Sequence, residues 1–198
     1  MRSRQVAQRA TTAIALYSGD MTEIQHYQVL REFDGFEVRL NSACWIADVQ
    51  VQGTDFDSAG NLGFRPLVSY ISGGNGAQQS IAMTAPVLVQ KVSSDSSMAS
   101  HTISFVLPAN LSQAPAPSNA RVTVRHVPQE TVAVLRYSGR SNQTAYERKR
   151  DELLAILAKH NLKVVGPDRL ARYDPPWTPW FLRRNEVQLP IADTRNSG

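Results

Sequence analysis

The sequence predicts an α+β fold in which eight strands make a barrel-like sheet carrying two helices, the whole built from a duplicated β-β-α-β-β unit. Three observations predict it. Residues 36–53 align without a gap onto residues 122–139, with identities at Val38 and Val124, Arg39 and Arg125, Ala47 and Ala133, and Gly53 and Gly139. Each copy alternates apolar and polar residues with the period of two that marks a half-buried strand. Each copy then passes through its glycine into a helix-like run. Such a unit tends to enclose a site between its halves, so function is to be sought in a pseudo-symmetric pocket rather than in a linear catalytic motif.

Taken in order, residues 1–22 read as an N-terminal tail. Phe36, Val38 and Leu40 alternate with Glu37 and Arg39 as a short strand. Trp45, Ala47, Val49 and Val51 form one face of a longer strand. Thr54 or Asp55 is placed to cap a helix beginning near Phe56, because a short polar side chain can accept from the free N–H groups of a first turn. Phe64, Leu67, Val68 and Ile71 recur at helical spacing. Gly60, Gly63 and Pro66 lie among them, so this helix is expected to be irregular or kinked. The glycines at 73, 74 and 76 stop it. Ile81, Met83, Ala85, Val87 and Val89 alternate as the third strand, with Pro86 suggesting an edge or bulge. Residues 93–100 read as a polar hairpin loop and residues 101–107 as the returning strand. The proline-rich stretch 108–120 connects the two pseudo-repeats, about 36–107 and 121–190.

In the second copy, Val122, Val124 and His126 mark a strand and residues 131–137 a longer one. Ser141 or Asn142 caps a helix whose apolar face is Tyr146, Leu153, Leu154 and Leu157. Residues 169–173 and 183–189 read as the last strands, joined by a stiff aromatic turn at 174–180. Residues 191–198 are a C-terminal tail.

Bulk properties bound the function. The 198 residues carry a formal net charge of +4, and Arg2, Arg4 and Arg9 precede any acidic residue. No Lys/Arg stripe interleaves with aromatics, which argues against a nucleic-acid partner. Cys44 is the only cysteine, which excludes an internal disulfide and a Cys-rich metal site. No apolar run approaches the ~20 residues of a membrane span. The expected location is cytoplasmic. No Gly-x-Ser-x-Gly elbow, His-Glu-x-x-His pair or Walker loop occurs, so the chain does not read as an enzyme.

Three runs resemble one family. They are 69–75 (Ser-Tyr-Ile-Ser-Gly-Gly-Asn) with 81–87 (Ile-Ala-Met-Thr-Ala-Pro-Val), 105–109 (Phe-Val-Leu-Pro-Ala) with the linker behind it, and 173–180 (Tyr-Asp-Pro-Pro-Trp-Thr-Pro-Trp) leading into 183–187 (Arg-Arg-Asn-Glu-Val). In order along residues 23–190 they are similar to the SOUL heme-binding protein family. The resemblance implies a distorted eight-stranded β-barrel with two helices and a soluble carrier or buffer that takes heme or another tetrapyrrole in an apolar groove. Leu40 stands where one branch of that family carries a proposed axial histidine. In another branch, thought to bind porphyrin without an axial ligand, the matching groove positions are Asn61, Phe64 and Ser69 on the first helix and Thr178 in the final loop, with Arg65 adjacent.

Val68 extends the apolar groove. Met83 is either a soft thioether ligand or a core residue. Trp177 and Trp180 either stack on a flat ligand or pack against Pro175, Pro176 and Pro179. His126, the repeat partner of Leu40, is the candidate axial ligand to iron; a satisfied strand histidine is the alternative. Arg184 and Glu186 share a strand face, either as a structural ion pair or with the carboxylate receiving a cationic ligand. Two other readings stand beside the carrier: an effector-binding module similar to gyrase-inhibitor-like domains, and a protein-interaction module without a cofactor.

Overall fold

A computed structural model describes residues 22–52, 56–93 and 100–193. The tail at 1–21, the helix cap at Thr54 or Asp55 and the loop at 94–99 lie outside them. The strands are β1 (Glu23–Ile24), β2 (Tyr27–Phe33), β3 (Phe36–Asn41), β4 (Cys44–Gln52), β5 (Thr84–Ala85), β6 (Val87–Ser93), β7 (Ser100–Val106), β8 (Val122–Val127), β9 (Glu130–Ser138), β10 (Arg169–Arg172) and β11 (Arg184–Pro190). The helices are α1 (Phe56–Ile71) and α2 (Gln143–Lys159), with a short 3-10 turn at Trp180–Leu182.

Nine strands join in one antiparallel sheet, ordered β2-β3-β9-β11-β10-β6-β7-β4-β8, while β1 and β5 form a separate parallel pair. The sheet is a curled half-barrel whose edges, β2 and β8, do not pair. This corrects the expected eight-stranded barrel in two respects. The strand missed from the main sheet is β2, whose alternation is broken by a register shift between Val29 and Arg31; a bulge of this kind erases the period-two signal. The single strand expected over 81–89 is split at Pro86 into β5 and β6, since proline has no N–H to give a ladder.

Under the gapless repeat alignment, β3 falls on β8 and β4 on β9, end for end. The strand order without β2 reads the same from both ends when β3, β4, β6 and β7 exchange with β8, β9, β10 and β11. Both helices lie on one face. Val38, Val49, Ile103, Phe105, Ala133, Leu135, Leu170, Val187 and Leu189 point that way and are buried with Leu67 and Tyr70 of α1 and Leu153 and Leu157 of α2.

Helix α1 continues through Pro66 without a break. Tight seating on the sheet offsets its poor propensity. A Cβ on Gly63 would lie 2.4 Å from Cγ1 of Ile103, so only glycine allows this approach. The chain leaves α1 through Gly73 at φ +103. Asn75, buried, then ties the turn by donating from Nδ2 to the carbonyls of Tyr70 (2.9 Å) and Gln79 (2.7 Å). Helix α2 is capped by Asn142, whose side chain accepts from the Ala145 N–H. Tyr146, Leu153 and Leu157 are buried as expected, but Leu154 is exposed, because it lies one residue past the stripe that faces β9 and β11.

Candidate ligand-binding site

Helix α1 lies over β4 and β7 with Phe64 above the ring of Phe105, centroids 5.2 Å apart in a T-shaped contact. That contact anchors one side of Phe64, and 41 % of the residue stays exposed. Val68 is half-buried against the core, Asn61 and Arg65 face solvent, and Leu62 is exposed on the opposite flank of the helix from Phe64. Arg65 makes no ion pair among the described residues. Met83 packs partly buried against the same core cluster, which favours its core reading.

Sheet register sets the start of the aromatic loop two strands from Phe105. Phe105 pairs with Val87 and Val87 with Arg172, so one row crosses β7, β6 and β10 from beneath Phe64 to the end of β10. The loop begins just past Arg172. The Arg172 guanidinium reaches back to α1: its Nη1 lies 3.0 Å from where a Cβ of Gly60 would stand, and its carbon sits 5.6 Å from the Phe56 ring centroid.

The loop is braced from within. Arg183 donates from Nε to the Thr178 carbonyl at 2.8 Å and from Nη2 to the Pro176 carbonyl. Thr178 is half-buried and its N–H bonds the Pro175 carbonyl at 3.1 Å. Trp177, however, is 83 % exposed. It does not pack down on the prolines, and the loop is held by hydrogen bonds instead. Trp180, Phe181 and Leu182 are exposed too.

Two expected site residues are placed apart. Leu40 lies on β3 toward the opposite end of the sheet from β4 and β7, and stays half-buried. His126 is exposed on edge strand β8, in T-shaped contact with Trp45 at 5.3 Å, where it lines a cleft of about 410 Å³ with Cys44, Leu111 and Ser112. No group of three or more His, Cys, Asp or Glu able to hold a metal occurs among the described residues. The Cys44 thiol is half-buried, and burial, followed by the nearby Glu130 charge, pushes its pKa up.

The face turned away from the helices carries a polar cluster that pattern reading identified only in part. Glu186 is 0 % exposed. It accepts from Arg39 at 2.9 and 3.0 Å, from Arg184 at 2.7 and 3.0 Å, from the Tyr173 hydroxyl at 2.8 Å and from Gln188 at 3.2 Å. Arg39 also bonds Glu37. The Tyr27 ring covers the Arg39 guanidinium at 4.1 Å, and the Tyr173 ring covers that of Arg184 at 3.9 Å. Burial alone would raise the Glu186 pKa; the bonds and charge of Arg39, then those of Arg184, reverse this and hold it below the ordinary carboxylate range. The shared strand face of Arg184 and Glu186 was legible in sequence. Arg39 was not singled out, although a signal existed: it is one of the four identities between the two copies, and its repeat partner Arg125 also pairs with a carboxylate, that of Asp48 at 2.7 Å. With the chain's own guanidiniums on both oxygens, Glu186 has no room for a cationic ligand.

Comparison with known proteins agrees with the resemblance. The family model described as SOUL heme-binding protein matches residues 22–190. Heme-binding protein 2 of Mus musculus is 32% identical over 169 residues, covering 78% of this chain and 80% of that protein. Heme-binding protein 1 of Xenopus laevis is 25% identical over 169 residues, covering 79% and 84%. Among solved structures, the C-terminal domain of EcmrR superposes with a TM-score of 0.63 at 12% identity, over 84% of this chain and 98% of that one. SAV2435 bound to tetraphenylphosphonium superposes at 0.50 and 12% identity, over 79% and 93%. At such identity these likenesses show the fold alone. With its family model spanning nearly all of the described residues, the chain belongs to the SOUL heme-binding protein family.

Proposed function

We propose that this protein binds heme or a related tetrapyrrole on the exposed apolar side of α1, without an axial ligand, and acts as its carrier or buffer. The observation that carries the reading is Phe64: anchored edge-on by Phe105, yet 41 % exposed, in line with the base of a braced aromatic loop. The residues present fit the group. Phe64 and Val68 offer an apolar bed, Trp177 and Thr178 a second wall, and Arg65 with Asn61 the polar groups for the propionates. Met83 supports the bed from within the core. When bound, heme would bring its own redox and ligand-binding chemistry; the chain's residues serve to hold and shield the plate.

Covering ~300–400 Å² of porphyrin contributes about 8–10 kcal/mol at ~25 cal/mol per Å². Several kcal/mol of association cost oppose it. Micromolar affinity therefore needs no iron bond. Leu40 and His126 take no direct part in this mode. The match of β3 to β8 and β4 to β9 supports reading the chain as a duplicated unit, with α1 alone of the two helices exposing aromatic surface.

The effector-module reading is disfavoured by the occupied Glu186. The test of the proposal is titration with hemin and with iron-free protoporphyrin. Saturable binding of both, weakened together by Phe64→Ala, supports it. Binding of hemin alone, or of neither, overturns it.

A further inference from the structure

The loop between β10 and β11 exposes four large apolar side chains. Trp177, Trp180, Phe181 and Leu182 are 83, 53, 58 and 64 % exposed. They fall within six consecutive residues on a segment that is stiffened before anything meets it. Trp180 and Phe181 stand edge to face at 5.7 Å. The two Arg183 bonds to loop carbonyls and the Asp174 carboxylate, which accepts from the Arg184 N–H at 2.5 Å, fix the base. This is a projecting prong rather than a groove, so a folded partner would need a pocket to receive it.

The charge around the prong selects its occupant. Arg183 lies at its base. Arg140 is exposed on the neighbouring β9–α2 turn, held beside β11 by the Asn185 bond to the Gly139 carbonyl at 3.0 Å. Arg136, also exposed, sits on β9, against which the 3-10 turn packs. The one acidic residue of the loop, Asp174, is engaged internally. Indole and phenyl rings at a tip, with arginines behind them, match the layering of a bilayer surface, where aromatic rings settle at the headgroup boundary and cations meet anionic lipid.

We propose that this loop inserts into the headgroup region of an anionic lipid bilayer. Trp180, Phe181 and Leu182 enter the boundary, and Arg140 and Arg136 face the lipid phosphates. The site on α1 would then open beside the membrane, where apolar macrocycles partition. The proposal rests on its own observation and survives failure of the tetrapyrrole reading.

The experiment uses the full chain with vesicles of phosphatidylcholine, with and without about 30 % phosphatidylserine. Sedimentation measures binding, and brominated acyl chains report depth through tryptophan quenching. The expected result is binding to the anionic vesicles, reduced by salt, with the loop tryptophans Trp177 and Trp180 quenched by shallow bromines in a Trp45→Phe background. Phe181→Ser with Leu182→Ser should lower partitioning about tenfold or more and leave hemin titration unchanged. Arg140→Ala should reduce binding to anionic vesicles without altering the tryptophan emission in buffer. Absence of vesicle binding overturns the proposal. So does binding that survives the double substitution, or a prong that is protected only by another protein. Circular dichroism of the variants separates loss of binding from loss of fold.

Discussion

Arg39 and Glu186 stand 147 residues apart in the chain and clasp each other through two bonds, Nη1 to Oε2 at 2.9 Å and Nη2 to Oε1 at 3.0 Å. One lies on β3, the other on β11, with β9 between them. The clasp therefore ties three strands on the face that the helices do not cover.

Breaking this clasp from one side should be expensive. Glu186→Gln leaves two guanidiniums, one of them 2 % exposed, without their counter-charge. Removing one partner of a buried pair costs about 3–5 kcal/mol, because the remaining charge is uncompensated. Arg39→Met should cost less, about 2–3 kcal/mol, since Arg184 still holds the carboxylate. Urea unfolding of both variants checks the order; equal losses would mean that Arg184 gives Glu186 no support.

The same carboxylate sets an acid limit. Its folded pKa is lowered from an ordinary value of 4.5, so the unfolded chain takes up its proton first as pH falls. Its contribution is complete above pH of about 4.5 and declines as pH drops through the lower folded value. Thermal unfolding should therefore show a steepening loss of stability below pH of about 4.5, and Glu186→Gln should flatten that part of the profile. A profile unchanged by the substitution would remove Glu186 as its source.

Gly63 controls the seating of α1. Alanine there would place a methyl 2.4 Å from Ile103 Cγ1 and 2.8 Å from its Cβ, too close without movement of helix or strand. Overpacking of this kind costs about 1–3 kcal/mol. Because Phe64 follows directly, Gly63→Ala should also weaken hemin binding. Ile103→Val alongside it should restore neither, because valine keeps both atoms that the methyl would meet, and calorimetry with a hemin titration would measure this.

Cys44 should be slow to react. Burial and the Glu130 charge raise its pKa, so little thiolate is present at neutral pH. Alkylation by iodoacetamide should lag behind free cysteine well into the alkaline range. Glu130→Gln should speed it modestly, as followed by mass spectrometry.

His126→Ala should leave the Soret band of a hemin complex unchanged, because the imidazole lies with Trp45 in a cleft of its own. A shifted band would restore that histidine as a ligand.

Local pattern fixed much of the architecture. The alternation of Phe36, Val38 and Leu40, and of Val122 and Val124, placed strands correctly because a half-buried strand must alternate. The spacing of Phe64, Leu67, Val68 and Ile71 revealed α1 despite Pro66. The runs around Met83 and around Trp177 identified the family. Pattern failed where geometry is not periodic. The register shift after Val29 hid β2, and the sheet curls into a nine-stranded half-barrel where a distorted eight-stranded barrel was expected.

What only the tertiary structure decided is which side chains meet. Arg39 and Arg184 fill both oxygens of Glu186, Leu40 and His126 fall away from α1, and Trp177 stands in solvent instead of on its prolines. Each of these outcomes depends on contacts between distant strands or on the path of an irregular loop. Neither leaves a mark at fixed spacing, because hydrophobic periodicity records which face is buried and not what it is buried against.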